Sequence, residues 1–269
     1  MDRDELSFGG SVADGYREYL EPVIFRPWAE RLVDFVGVEE GDTVLDVAAG
    51  TGVVSRAAAA RVRAGGTVIA SDVSDAMLGH VPAGFPSDVT LRVVPCSALA
   101  LDLPDAAVDV VLCQQGLQFV PERTGAVSEM RRVLRPGGRA GIAVWLSSPR
   151  VEPFIVYGEA LQAHDVPEPF PGAYDSSNLS MGGDEVERLL CAAGFEDVKV
   201  RVERLRVQWP SVDHAVVGAF GTPYGPVFEA LEEPTRRSVL ADLRRRMSGA
   251  GGEATGHVMT SVLARGRRA

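Results

Sequence analysis

The chain of 269 residues contains one lysine, Lys199, three cysteines and four histidines. A phosphate-cradling G-K-[ST] loop is excluded, because no lysine follows any of its glycine-rich turns. The basic residues are otherwise arginine, which reads as a bias of coding composition rather than a phosphate site. The net charge is −10 and the pI about 5.0. Proteins that grip nucleic acid rely on cationic surface, so a nucleic-acid partner is not expected. Cys96, Cys113 and Cys191 are odd in number, far apart and lack a C-x-x-C pair. They read as free thiols in a reducing cytoplasm, not as a disulfide framework or zinc site. The first five residues, MDRDE, lack the apolar stretch of a signal peptide. No apolar run reaches the about 18 residues of a membrane span. No cluster of Asp, Glu or His in the sequence suggests a metal, so none is expected to be required.

Apolar residues make up 46% and charged residues 24% of the chain, ordinary values for a protein with a packed core. One domain over residues 1–269 is expected. Residues 43–48, 67–70, 89–94, 108–113 and 139–145 read as strands. Residues 53–62, 75–80 and 122–134 between them read as helices, the last closed by Pro136-Gly137-Gly138. Strand and helix in alternation predict βαβ units and a doubly wound, Rossmann-like α/β sheet, parallel and covered on both faces. Residues 198–207 and 257–264 read as two late strands, an antiparallel addition at one edge that brings the sheet to seven. Residues 1–40 read as short cap helices, 42–146 as the ligand-binding core, and 147–183 and 211–250 as insertions roofing a pocket. The first insertion reads as irregular, the second as two helices.

The informative stretch is VLDVAAGTG, residues 44–52. A hydrophobic strand ends in an acid, Asp46, and a tight loop of small residues opens a helix. Small residues let backbone amides approach a ligand, and a helix start presents free N–H groups and a positive dipole end. Such loops at the carboxyl ends of strands form the ligand crevice of doubly wound sheets. A dinucleotide fingerprint would place a third glycine where Ser55 stands. Asp46 would repel a pyrophosphate and suits a cationic ligand. Asp72 ends the second strand about 20 residues past Gly52, where an acid can accept the hydroxyls of a ribose. This feature marks an adenosine-type ligand rather than a reaction.

Together with VIASDVSDAML, LDLPDAAVDVVLCQQGLQFV and EMRRVLRPGGRAGIAVW, the stretch covers about residues 42–146. It resembles the class I S-adenosylmethionine (SAM)-dependent methyltransferases of the group related to ubiquinone/menaquinone biosynthesis. The segment GGSVADGYREYLEPVIFRPWA is similar to that group's N-terminal cap. The resemblance implies a seven-stranded sheet with the last strand antiparallel, SAM as cofactor, and methyl transfer to O, N or C of a small molecule. It implies that Asp46, Ala48, Gly50, Thr51 and Gly52 surround the methionine part. It places Asp72 on the ribose, Val73 and Met77 beside the adenine, and Ser97 and Ala98 by its amine. Gln114 and Gln115 then floor the methyl donor, and Tyr16 and Tyr19 close over it.

Two positions depart from the group's pattern. Ala48 stands where glycine is common, which a negative φ would accommodate. Ser97 stands where aspartate is common, which leaves a hydroxyl or the backbone for the adenine. His164 and His214, in the two insertions, are the weak candidates for a catalytic base. Tyr157, Phe170, Tyr174, Phe220 and Tyr224 are candidates for the substrate wall, with core packing as the bland reading of each. The arginines from Arg236 to Arg246 read as a solvated helix face paired with acids. A non-catalytic SAM-binding protein and a nucleotide-dependent oxidoreductase are the competing classes. The fourth strand ends in CQQG, not in the Pro-Pro-aromatic motif of enzymes that methylate nucleic-acid amines. A homodimer is left open.

Overall fold

A computed structural model describes residues 10–63, 65–146, 153–169, 180–249, 254 and 256–269. Seven strands form one sheet: β1 (Thr43–Val47), β2 (Thr67–Asp72), β3 (Thr90–Pro95), β4 (Val108–Gln114), β5 (Leu134–Trp145), β6 (Phe195–Val207) and β7 (His257–Arg268). Their spatial order is β3-β2-β1-β4-β5-β7-β6. β1 to β5 pair in parallel, and β7 is antiparallel to both of its neighbours. The two late strands are the expected antiparallel addition at one edge, and the last strand is the antiparallel one. β7 is inserted between β5 and β6, and β6 takes the edge, running the same way as β1 to β5.

Burial on both faces explains the near-continuous apolar strands. Side chains alternate along a strand. Val44, Val68, Val110 and Leu112 therefore enter one core with α2 (Arg26–Val36) and α3 (Val53–Val62). Leu45, Ile69, Val111 and Cys113 enter the other with α5 (Arg123–Val133) and α7 (Gly183–Ala192). α5 ends at Val133, and Pro136-Gly137-Gly138, expected to lie between helix and strand, belongs to β5. The guanidinium of Arg268 donates to the carbonyls of Arg131, Arg132 and Leu134 at the end of α5.

The cap begins with α1 (Gly10–Gly15) and continues as a π-helix, Tyr16–Phe25. Pro22 inside it has no N–H to donate, and the N–H of Arg26 reaches back five residues to Glu21 O. The first insertion carries α6 (Phe154–Gln162), so it is not irregular throughout. The second holds α8 (Val212–Gly218), a 3-10 turn (Ala219–Gly221), α9 (Gly225–Ala230) and α10 (Glu233–Met247), more than the two helices expected. Along α10, Arg236 and Arg237 pair with Glu233, Arg244 with Asp213, and Arg245 and Arg246 with Asp242. Every arginine of the run thus has an acidic partner.

Candidate active site

The strand order reverses between β1 and β4, and ligands of doubly wound sheets lie beyond the carboxyl ends of the strands at such a point. Two backbone turns meet there. Ala48, Gly50 and Gly52 take φ of 55°, 55° and 84° on the way from β1 to α3. The negative φ expected for Ala48 is therefore overturned. Left-handed alanine costs about 1–2 kcal/mol, and a bare neighbour makes room for its methyl group. A Cβ built on Gly116, just past β4, would fall 2.5 Å from the Cβ of Ala48.

A cavity of about 640 Å³ opens over these turns. Ala48 to Gly50 and Asp72 to Ser74 form one side. Asp72 holds the loop with both oxygens, Oδ2 accepting from Gly50 N and Oδ1 from Ser74 N, each at 2.9 Å. Burial raises its carboxyl above the usual range. Ser74 Oγ accepts from Met77 N at the start of α4 (Asp75–Leu78), which buries Met77 at the cavity wall. Val73 is 76% exposed at the rim. Ser97 and Ala98 line the same side, and Ser97 Oγ accepts from Leu99 N.

Gln114 and Gln115 form the floor with Gly116. Gln114 Nε2 donates to Phe25 O at 3.1 Å, and Gln115 Nε2 to Ser261 Oγ at 3.3 Å. The Oε1 atoms of both are buried with no partner among the described residues. Above the floor, Tyr16, Leu20 and Phe25 of the π-helix face Trp145, Phe154 and the turn Gly221 to Pro223. Tyr16 stacks on Phe25 with centroids 4.5 Å apart. Burial first, and then the carboxylates of Glu21, Asp46 and Asp72, raise its phenol well above its ordinary value.

Asp46, Thr51, Gly52 and Tyr19 stand behind this lining. Asp46 Oδ2 accepts from Ser55 Oγ at 2.7 Å, Oδ1 is buried without a partner among the described residues, and burial pushes the carboxyl up to about 7. Thr51 Oγ1 donates to Glu21. Gly52 is packed against Val81 and Arg56. Tyr19 meets the ring of His214 edge-on at 5.2 Å. Glu21, Asp46 and Asp72 thus bring three carboxylates to the loop beside the Arg56 guanidinium, an excess that suits a cationic ligand.

The expected acceptor residues fall elsewhere. His214 Nε2 bonds Tyr19 O at 2.9 Å, and His164 lies 3.7 Å from Asp242; neither lines the cavity. Tyr157 and Tyr224 are fully buried in the core, and Phe220 packs on Phe228. Phe170 and Tyr174 lie outside the described residues. The wall is built instead by Leu20, Phe25, Trp145 and Phe154. Trp145 had a legible signal, since it ends a strand at the sheet's ligand side. Phe25 and Phe154 had none, because only packing turns those helix faces toward the cavity.

A family model described as a methyltransferase domain matches residues 45–142. The chain is 31% identical over 204 residues to the ubiquinone/menaquinone biosynthesis C-methyltransferase UbiE of Citrobacter koseri, covering 70% of this chain and 81% of that one. Among solved structures it is similar to a SAM-dependent methyltransferase, "possible histamine N-methyltransferase", from Thermotoga maritima, with a TM-score of 0.58 at 16% identity over the full length of both chains. It also shares its fold with the [4+2]-cyclase SpnF, with a TM-score of 0.56 at 17% identity over 90% of this chain and 81% of that one.

Proposed function

We infer the roles of individual residues from one premise: the chain belongs to the class I SAM-dependent methyltransferases. It transfers a methyl group from SAM to a small-molecule acceptor. Three features of the cavity support a fit to that cofactor. Asp72 in the lining, with Asp46 behind it, suits a ligand carrying ammonium and sulfonium charge. The Oε1 atoms of Gln114 and Gln115 are buried acceptors without a donor among the described residues. Gly50, at a positive φ, lines the cavity with no side chain of its own while Asp72 holds its amide.

In this reading the loop from Ala48 to Gly52 holds the methionine part, with Asp46 behind it as a buried counter-charge. Asp72 takes the ribose hydroxyls while its backbone bonds keep the carboxylate oriented. Val73 and Met77 bracket the adenine, and Ser97 and Ala98 meet its edge. Tyr16 lines the cavity from the cap, whereas Tyr19 packs on His214 away from it. The bound cofactor supplies a methyl carbon made electrophilic by the sulfonium. The protein contributes position and exclusion of water, which together supply much of the rate in an in-line displacement. Leu20, Phe25, Trp145 and Phe154 support an acceptor with an apolar body. The curated relatives are named as C-methyltransferases, which favours carbon as the methylated atom. We assign no catalytic base to His164 or His214. The remaining expectations stand as proposals: one domain, a cytoplasmic location and no nucleic-acid partner.

The single observation that carries the assignment is the meeting of the β1 loop, Asp72 and the Gln114–Gln115 floor around one cavity. Isothermal titration of the purified chain with SAM and with S-adenosylhomocysteine tests it, and micromolar binding of both is expected. Transfer from methyl-labelled SAM to a panel of uncharged aromatic acceptors follows. Absence of binding by either ligand removes these residue assignments.

A further inference from the structure

Glu21 is a charged residue only 3% exposed. It sits on the π-helix whose residues Tyr16, Leu20 and Phe25 wall the cavity, yet its carboxylate reaches across to the β1 loop. Oε2 accepts from Thr51 Oγ1 at 2.7 Å, and Oε1 is 2.6 Å from Arg56 Nη2. Arg56 Nη1 in turn donates to Thr51 O at 2.9 Å. A carboxylate from the cap and a guanidinium from α3 therefore hold the hydroxyl and the carbonyl of one loop residue. The same cap is tied down a second time: Arg17 Nη1 donates to His80 O at 3.0 Å, and Asp14 lies 3.2 Å from His80 Nε2. Both ties end on the part of the protein assigned to the cofactor, one on its loop and one just past α4.

A buried ion pair is weak evidence for stability, because desolvation offsets much of the attraction. What this pair does is geometric. The loop conformation and the docked cap share one set of bonds, so each is completed only when the other is in place. We propose that Glu21 is a positioning residue which, through Thr51 and Arg56, couples docking of the N-terminal cap to the cofactor-receiving shape of the β1 loop. The proposal rests on the assignment of that loop to SAM. Coupling of this kind is reciprocal: the docked cap tightens SAM binding, and SAM tightens the cap.

The full chain, Glu21→Ala and Thr51→Val are compared by calorimetric titration with SAM and by hydrogen exchange over residues 12–25, with and without saturating SAM. Thr51→Val removes one hydroxyl and keeps the branched shape, so it reports even where loss of Glu21 leaves Arg56 unpaired and the chain unfolded. The expected result is that SAM slows exchange across the cap of the unaltered chain. Each variant then binds SAM about tenfold more weakly, within the usual range of coupling, and loses most of the slowing at saturation. The two substitutions combined weaken binding by less than the product of their separate effects. Folded variants with unchanged affinity and unchanged cap protection overturn the coupling, even though SAM binds. No binding by the unaltered chain overturns instead the site assignment beneath it.

Discussion

The methyl group of Ala48 rests against Gly116, where any Cβ would lie 2.5 Å from it. Ala48 itself stands at a φ of 55°. The pair joins the turn after β1 to the turn after β4 where the strand order reverses between those two strands. An alanine in a left-handed turn is thus accommodated by a glycine far from it in sequence.

Gly116→Ala is expected to destabilise the chain by about 1–3 kcal/mol, the usual cost of forcing extra volume into a packed site. Ala48→Gly removes the opposing methyl and the left-handed strain together. The double variant should therefore regain most of the loss. Urea unfolding of the four proteins measures this, and additive losses would show that the two residues do not meet.

Asp72→Ala is expected to weaken SAM binding by about 1–3 kcal/mol, the scale of a lost hydrogen bond to a charged group. It also frees the amides of Gly50 and Ser74. Asp72→Asn, which keeps an acceptor oxygen, should lose less. Equal titration curves for the alanine variant and the parent would mean that the ribose lies elsewhere.

Asp46 gives a pH dependence with a definite sign. Its carboxyl titrates at about 7 in the folded chain because burial disfavours the charge, against about 3.9 unfolded. Between these values the folded state binds more protons, so the contribution of this group to stability falls as pH rises from about 4 to 7. Asp46→Asn should remove that decline and be relatively more stable at pH 8 than at pH 5. Melting temperatures of both proteins across this range decide it, and parallel profiles would reject the assignment.

Arg268→Ala serves as a structural contrast. It strips the guanidinium from three carbonyls at the end of α5 and should cost about 1–3 kcal/mol of stability. Its SAM affinity at 20 °C should stay that of the parent, since α5 packs on the sheet away from the cavity wall. A large loss of affinity in this variant would show that the binding cavity depends on the far end of the sheet.

Local pattern was enough for the strands from β1 to β5, the helices between them and the acid-loop-acid signature of Asp46, Gly50, Gly52 and Asp72. Each depends on chemistry within one βαβ unit: apolar runs buried on both faces, breaks at glycine, and an acid placed at a strand end. Tertiary structure alone decided the rest. It inserted β7 between β5 and β6, because strand order depends on which edges pair and not on the pattern of either strand. It turned Phe25 and Phe154 into the cavity and left Tyr157 and Tyr224 in the core, because an aromatic on or beside a helix serves either place equally well until the helix is docked. It gave Ala48 its left-handed turn, which stands only because Gly116 lies beneath it. And it brought Glu21 to Thr51, 30 residues on, a bond between the cap and the β1 loop that no spacing in the chain announces.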